Sequence, residues 1–341
     1  MKEISIALAT YNGEKYLERQ LESLATQSMR PTELVIRDDR SSDGTISILR
    51  DFAAKAQFPV RIIINERNLG AWRNFFELCK DTSGEYIAFC DQDDVWHPNK
   101  LKVCYEYMSM TGMLMVGHSV DLIDEHGKTI GRWKQGIRLK AGSYCRWDPW
   151  ANFLGMSIMI DKKLLNLVDP ERRFEMLNPH SGKDESSHDQ WFDFLAESSG
   201  MLAAIDMPLA SYRVHHANVS GVNRNLASTL TQLKVESGFA AMPDRRLALA
   251  AVKRSSLLQH VATHLEHGAL RNAIVSSSRK WSLLSKIEAE RLSMYRSRNP
   301  AWKLFALVKL ICSGAYVGWQ RGGLSPMLLL KDGLLLFMRH R

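Results

Sequence analysis

Three carboxylates in four positions, within Asp91-Gln92-Asp93-Asp94, follow directly on the apolar run Tyr86-Ile87-Ala88-Phe89-Cys90. Side chains that repel one another this strongly are tolerated where a cation neutralises them. Hard oxygen donors suit Mg²⁺ or Mn²⁺ rather than a soft metal. Mg²⁺ commonly bridges a few carboxylates and the phosphates of a substrate, so a diphosphate is the natural partner of such a loop. A solvated acidic turn capping the next helix accounts for the same residues about as well when they are taken alone. Two further polar clusters, Thr10-Tyr11-Asn12 and Asp38-Asp39, also close apolar runs. Their shared placement says more than any one of them, because ligands of an open parallel sheet gather beyond the carboxyl ends of its strands.

The elements that must position these clusters alternate along the first hundred residues. Residues 4–10 read as a buried strand, and Leu17, Leu21 and Leu24 recur at helical spacing after it. Pro31 precedes a second strand at 33–37, and the polar turn 38–45 supplies caps for a helix through Ile48 and Phe52. A third strand at 60–64, a helix over 71–79 and a fourth strand at 86–90 complete the pattern. Strand–helix alternation predicts an α/β fold with a mostly parallel sheet covered on both faces. The middle, about 113–212, mixes short strands at 114–117 and 156–160 with loops and a helix after His188. From Leu226 onward helical periodicity dominates, which predicts a domain at 1–222 and a basic helical region at 223–341.

Composition narrows the function classes. The first strand–helix turn has neither G-x-G-x-x-G nor G-x-x-x-x-G-K-[ST], so a dinucleotide dehydrogenase and a P-loop NTPase are both disfavoured. Cys79, Cys90, Cys104, Cys145 and Cys312 are odd in number and contain no CxxC pair, which speaks against a disulfide framework or a zinc knuckle. Met1-Lys2-Glu3 runs into a strand without a signal-peptide pattern, and residence in the cytoplasm is the expectation. The net charge of +8 is unevenly spread: residues 245–341 hold 17 Lys/Arg against 4 Asp/Glu, and residues 1–244 hold 28 against 33. A basic tail on an acidic front part suggests separate partners, with nucleic acid or an anionic membrane surface as the candidates for the tail.

The run Ala9-Thr10-Tyr11-Asn12-Gly13, then Asp38-Asp39-Arg40-Ser41-Ser42-Asp43-Gly44-Thr45, Asn68-Leu69-Gly70 and Asp91-Gln92-Asp93-Asp94-Val95-Trp96 resembles the inverting family-2 glycosyltransferases of GT-A fold. His188-Asp189-Gln190-Trp191 and Tyr212-Arg213-Val214-His215-His216-Ala217-Asn218-Val219-Ser220-Gly221 extend the likeness toward a bacterial rhamnosyltransferase-like branch that builds surface polysaccharides. The resemblance covers about residues 4–221. It implies that Thr10, Tyr11 and Asn12 line a nucleotide pocket beside Asn68, Gly70 and Gln92. It further implies that Asp39 accepts from N3–H of uracil or thymine with Asp38 beside it. Asp91 then approaches the ribose or the metal shell, and Asp93 ligates Mg²⁺ or Mn²⁺ with His215 or His216. Asp189 then becomes the general base, at a helix start where an N-cap would be the ordinary role of an aspartate. Many members carry an acidic pair at this point; here His188 precedes Asp189. Trp96 and Trp191 are weaker, acceptor-side expectations, since aromatic faces suit sugar rings.

The implied activity is transfer of a sugar from a dTDP- or UDP-linked donor, such as dTDP-rhamnose or a UDP-hexose, to a saccharide hydroxyl. The acceptor is expected to be a lipid-linked surface polysaccharide such as O-antigen, and nucleic acid is not an expected partner. A nucleotidyltransferase, or a nucleic-acid-binding protein acting through the basic tail, is the alternative. In the tail, Trp302 to Trp319 and Leu324 to Met338 are apolar runs broken by Lys303, Lys309 and Lys331-Asp332, too short to span a bilayer. Apolar faces edged by Lys and Arg, with Trp302 and Trp319 at the ends, favour helices lying in a membrane interface on the inner face of the cell membrane. A bundle packed on the catalytic domain and a homo-oligomer contact stay open.

Overall fold

The computed structural model describes residues 3–135, 137–140, 143–145, 149–176, 186–215, 245–319, 322–324 and 326–334. The first half runs β1 (Ile4–Thr10), α1 (Glu14–Ala25), β2 (Glu33–Asp38), α2 (Thr45–Ala53), β3 (Val60–Ile64), α3 (Ala71–Asp81), β4 (Tyr86–Cys90), β5 (Val95–Trp96) and α4 (Lys100–Thr111). There follow β6 (Met115–Ile123), β7 (Thr129–Trp133), β8 (Ile137–Lys140), β9 (Ser143–Cys145), β10 (Ile158–Asp161), α5 (His188–Ser198) and β11 (Leu202–Arg213). The chain ends with α6 (Arg245–His264), α7 (Ala269–Arg296), α8 (Pro300–Cys312) and α9 (Pro326–Leu334).

The central sheet has the order β3-β2-β1-β4-β10-β6-β11-β5, with β7 beside β6. Its parallel ladders, β3-β2-β1-β4 and β6-β11, carry most of the paired residues, while β10, β5 and β7 join antiparallel. Alternation along each strand decides which face a side chain serves. Ile4, Ile6 and Leu8 of β1, with Tyr86, Ala88 and Cys90 of β4, pack with Leu17, Leu21 and Leu24 of α1 and with α4. Ala7, Ile87 and Phe89 face the opposite layer, which holds α3, α5 and residues of α6 to α9.

The middle differs from the sequence expectation in two places. The apolar run at 156–160 begins as a 3-10 turn, Gly155–Ser157, and only then becomes β10. The 12-residue β11 is longer than any element expected there; irregularities between Ile205 and Ala210, around Pro208, break its alternation.

The C-terminal helices share a core with the rest. Trp281 of α7 lies 5.1 Å from Trp150, 6.0 Å from Phe194 of α5 and 4.5 Å from Trp319 between ring centroids. Trp319 is buried, and its indole N–H donates to Glu197 Oε1 at 2.5 Å, so it is a packing residue and not an interfacial anchor. The expected boundary at 222–223 lies outside the described residues. Among the described residues no helix is long and apolar enough to cross a membrane.

Candidate functional site

The ends of β1, β2 and β4 meet at one edge of the sheet, and side chains knit their loops together. Thr10 Oγ1 donates to Asp38 Oδ2 at 2.7 Å, and Asp38 also accepts from the Ser41 N–H and hydroxyl. Asn12 sits at φ 47°, a left-handed conformation that asparagine tolerates. From there its N–H donates to Ser41 Oγ at 2.9 Å and its Oδ1 accepts from Ser42 N–H at 2.8 Å. The Gln92 amide grips the Tyr11 backbone twice: Oε1 accepts its N–H at 2.8 Å and Nε2 donates to its carbonyl at 3.0 Å. A Cβ on Gly13 would stand 2.3 Å from Gln92 Oε1, so this position requires glycine for the grip to form. Tyr11 itself is exposed.

Asp39 is the hub of the next loop. Its Oδ1 accepts from Asn65 Nδ2 at 2.8 Å and Leu69 N–H at 2.7 Å, and its Oδ2 from Gly70 N–H at 2.8 Å. Asn68 Nδ2 donates to the Asp39 carbonyl at 3.2 Å, and Gly70 holds φ at 84°, which disfavours any side chain there. A carboxylate has about four acceptor sites, so one Oδ2 lone pair of Asp39 remains for a further donor.

The acidic loop after β4 is completed from 120 residues away. β5 pairs with β11 at Val95↔Ser211 and Trp96↔Ala210, which carries Arg213 and His215 onto the carboxylates. Asp94 is buried, with Oδ1 accepting from Arg213 N–H at 2.9 Å and Oδ2 without a partner among the described residues. Arg213 Nε donates to the Asp93 carbonyl at 2.8 Å. His215 Nε2 lies 2.7 Å from Asp93 Oδ2, and its ring rests 5.1 Å from that of Tyr16. Burial, then Asp93, then Asp189 push the Asp91 carboxyl up to about 7. Burial, Asp93 and Asp91 likewise drive Asp94 well above the usual carboxylate range. Lys100 is buried behind them, donates to the Met156 carbonyl at 2.5 Å and lies 3.3 Å over the Trp96 ring. Burial pushes its amine down to about 8.

Asp189 opens α5 across from this loop, near enough that its charge bears on Asp91. Its Oδ1 accepts from the Ser187 hydroxyl and from Gln190 N–H at 2.9 Å, and its Oδ2 from Asn152 Nδ2 at 2.9 Å. Three acceptances leave one Oδ2 lone pair for an incoming hydroxyl. His188 turns away and is buried. It stacks on Phe75 at 3.9 Å, neither ring nitrogen has a partner among the described residues, and burial holds it down to about 4.

The structure thus brings Thr10, Tyr11, Asn12, Asp38, Asp39, Asn68, Gly70, Asp91, Gln92, Asp93, Asp189 and His215 to one sheet edge. His216 lies outside the described residues. Trp96 and Trp191 are both buried, 2% and 0% exposed, so neither ring offers a face to a sugar; they are core residues. Asn152, Lys100 and Arg213 escaped the sequence reading. Asn152 stands in an irregular segment with no signal of its own, whereas Arg213 stood inside the matched run Tyr212–Gly221. For a divalent cation the donors fit: a hard carboxylate and an imidazole converge at Asp93 and His215, with Asp91 alongside. Among the described residues no three ligating side chains close on one point, so a metal here would draw its remaining ligands from water and substrate phosphate.

A family model described as glycosyl transferase family 2 matches residues 5–168. The dTDP-rhamnosyl transferase RfbG of Shigella flexneri is 28% identical over 221 residues, 63% of this chain and 74% of that protein. An uncharacterized glycosyltransferase of Nostoc sp. is 33% identical over 129 residues, 37% of this chain, and the match spans only 39% of its length. The UDP-Glc:alpha-D-GlcNAc-diphosphoundecaprenol beta-1,3-glucosyltransferase WfgD of Escherichia coli is 28% identical over 163 residues, 48% of this chain and 62% of that protein. Among solved structures, residues 1–349 of S. aureus TarS in complex with UDP-GlcNAc align over 92% of both chains at 17% identity and TM-score 0.49.

Proposed function

As a member of glycosyl transferase family 2 through residues 5–168, this chain is a glycosyltransferase, and we propose that it inverts the configuration of a sugar taken from a dTDP- or UDP-linked donor. The donor is dTDP-rhamnose or a UDP-hexose, and the acceptor is a hydroxyl of a growing, lipid-linked cell-surface polysaccharide such as O-antigen. The names of RfbG, which moves rhamnose from dTDP, and WfgD, which uses UDP-Glc and a diphosphoundecaprenol acceptor, support this choice. The nucleotidyltransferase alternative gives way to the family match.

The observation that supports the reading is that Asp189, at the start of α5 with its carboxylate held by Ser187, Gln190 and Asn152, stands at the same sheet edge as the Asp91–Asp93 loop, its charge bearing on Asp91. Inversion by single displacement needs one base on the acceptor side and charge stabilisation on the leaving-group side, on opposite faces of the sugar. Asp189 takes the acceptor proton on its remaining Oδ2 lone pair. Asp39 accepts N3–H of the pyrimidine on its own remaining Oδ2 lone pair, a contact that cytosine and adenine do not offer. Thr10, Tyr11 and Asn12 form the wall of the nucleotide pocket with Asp38, Asn68, Gly70 and Gln92, and Asp91 meets the ribose side. Asp93 and His215 hold Mg²⁺ or Mn²⁺, which when bound stabilises the charge of the departing diphosphate.

Calorimetric titration with UDP and dTDP, with and without Mn²⁺ and alongside GDP, CDP and ATP, tests the donor side. Metal-dependent binding confined to UDP and dTDP, and lost in Asp93→Ala, is the expected result. Binding of any nucleotide unaltered by Mn²⁺ or by Asp93→Ala would end the metal assignment. Retention of the donor's anomeric configuration in the product, read by NMR, would end the assignment of Asp189 as a single-displacement base.

A further inference from the structure

Apart from Lys303 and Lys309, α8 is apolar on both its inner and its outer face. Its inner face is covered: Lys303, Ala306, Leu307 and Leu310 are buried against the body. Its outer face is open among the described residues. Leu304, Phe305, Val308 and Ile311 form a continuous stripe at helical spacing, and Phe305 is 57% and Leu304 53% exposed. At the start of the stripe stands Trp302, 42% exposed, beside a groove that Arg245 and Arg296 also line. Arg298 is exposed just before the helix begins. Along the helix, Lys309 is paired with Glu290 at 2.8 Å, so local charge is cancelled there and the positive excess sits at the Trp302 end.

The geometry points to an anionic lipid surface as the occupant of this face, with α8 lying in the plane of the interface. An aromatic with one polar edge, an apolar stripe and several guanidinium groups at one end match the layering of headgroup and acyl chain. Each Lys or Arg near an anionic bilayer adds to the attraction, and guanidinium is a good phosphate ligand. A second copy of this chain fits less well. A helix of 13 residues offers a face of roughly 20 Å by 10 Å, about 200 Å², against the ~800 Å² per partner of a standard stable interface. A bilayer needs neither a matched patch nor a minimum footprint from the protein. Trp319 is buried, so α8 and the arginines at its start carry the contact.

The test is flotation of the full chain with vesicles of phosphatidylcholine alone and with about one third phosphatidylglycerol, for the native protein and for Phe305→Ser/Val308→Ser. Both side chains are exposed and distant from the acidic loop in sequence and role, so UDP binding and thermal melting should match the native chain. Partition onto the anionic vesicles, weakened by salt and at least ~10-fold weaker in the double variant, is the expected result. Equal partition of the two proteins, or none by the native chain, overturns the proposal. A dimer in vesicle-free solution that the double variant abolishes overturns it in favour of a second copy. Should the double variant melt early, Arg296→Glu/Arg298→Glu on the fully exposed approach to the helix takes its place; unchanged anionic partition there also overturns it. Vesicle binding is read without donor or metal, so its outcome is separate from that of the nucleotide titration.

Discussion

Asn152 gives the sharpest test of the assignment of Asp189. It donates from Nδ2 to Asp189 Oδ2 at 2.9 Å and to the Phe153 carbonyl at 2.8 Å, tying the carboxylate to the segment before β10. With Oδ1 filled by Ser187 and Gln190 N–H, the Asn152 bond fixes the rotation of the carboxyl and therefore the direction of its one open lone pair. Asn152→Ala removes a hydrogen bond to a charged group, worth about 1.5–3 kcal/mol. If all of that is lost from the transition state, kcat falls roughly 10- to 150-fold. The donor KM should stay within about twofold, because no nucleotide contact changes. Asp189→Asn sets the scale: loss of a general base costs about 10²- to 10⁴-fold.

The assay is steady-state transfer with soluble acceptor, with UDP or dTDP titration as the control for folding of the donor side. A kcat within twofold of native, or a donor KM that rises in step with the fall in kcat/KM, would refute the positioning argument. The first outcome would show that Asp189 needs no orientation. The second would show that Asn152 serves the donor pocket.

Three further outcomes follow from the same structure. His188 is held down to about 4 by burial, against an ordinary value near 6.5 when unfolded, so the unfolded chain takes up its proton first. His188 therefore lowers stability as pH falls from about 6.5 to about 4, by roughly 3 kcal/mol over the window; the melting temperature of His188→Leu relative to native should climb across it, and parallel curves would refute the account. Asp332, buried in α9, accepts from Arg291 Nε at 2.7 Å and Nη2 at 3.0 Å and from the hydroxyls of Tyr295 and Tyr316. Asp332→Asn leaves the buried guanidinium short of charge and should lower urea-unfolding stability by about 3 kcal/mol or more, with a loss under ~1 kcal/mol counting against it. Gly13→Ala places a methyl 2.3 Å from Gln92 Oε1, which should break the grip on Tyr11 and weaken UDP binding about tenfold; unchanged calorimetric affinity would remove Gln92 from the pocket.

The sheet edge was legible because its residues obey local rules. Apolar runs followed by Thr10-Tyr11-Asn12, Asp38-Asp39 and Asp91–Asp94 placed three strand ends together before any contact was known. What stayed hidden depends on pairing at long range. The match of two-residue β5 with β11, beside the β6–β11 ladder, brings Arg213 to the Asp93 carbonyl, and a two-residue strand leaves no periodicity to read; His215 at Asp93 was expected from the resemblance alone. Asn152 and Lys100 act through side-chain reach from an irregular segment and from the start of a helix, where composition is silent. Trp96, Trp191 and Trp319 were misjudged for one shared reason. A large aromatic can serve a core, a sugar or an interface, and only packing decides: Trp191 and Trp319 lie in the layer with Trp281 and α5, and Trp96 in the opposite layer with α1 and α4.

The electrostatics of the acidic loop also argue that the donor cannot approach it unaided. Burial first, then the charges of Asp93 and Asp189, lift Asp91 to about 7, so negative charge already bears on the space where α5 meets the loop. Lys100, the buried amine behind the loop, is turned to the Met156 carbonyl and the Trp96 ring and is itself pushed down to about 8. A diphosphate brought into that space adds at least two more negative charges. At ~5 Å and an effective dielectric constant near 20, each like-charge pair opposes binding by about 3 kcal/mol. Two such pairs exceed what the hydrogen bonds of Asp39 and the Thr10–Asn12 wall could return at about 1 kcal/mol each. On the proposed reading, a divalent cation held by Asp93 and His215 would supply the positive charge that reverses the sign. If the proposed metal binds there, donor and metal should each tighten the other by the same factor, which paired titrations of UDP and Mn²⁺ would measure.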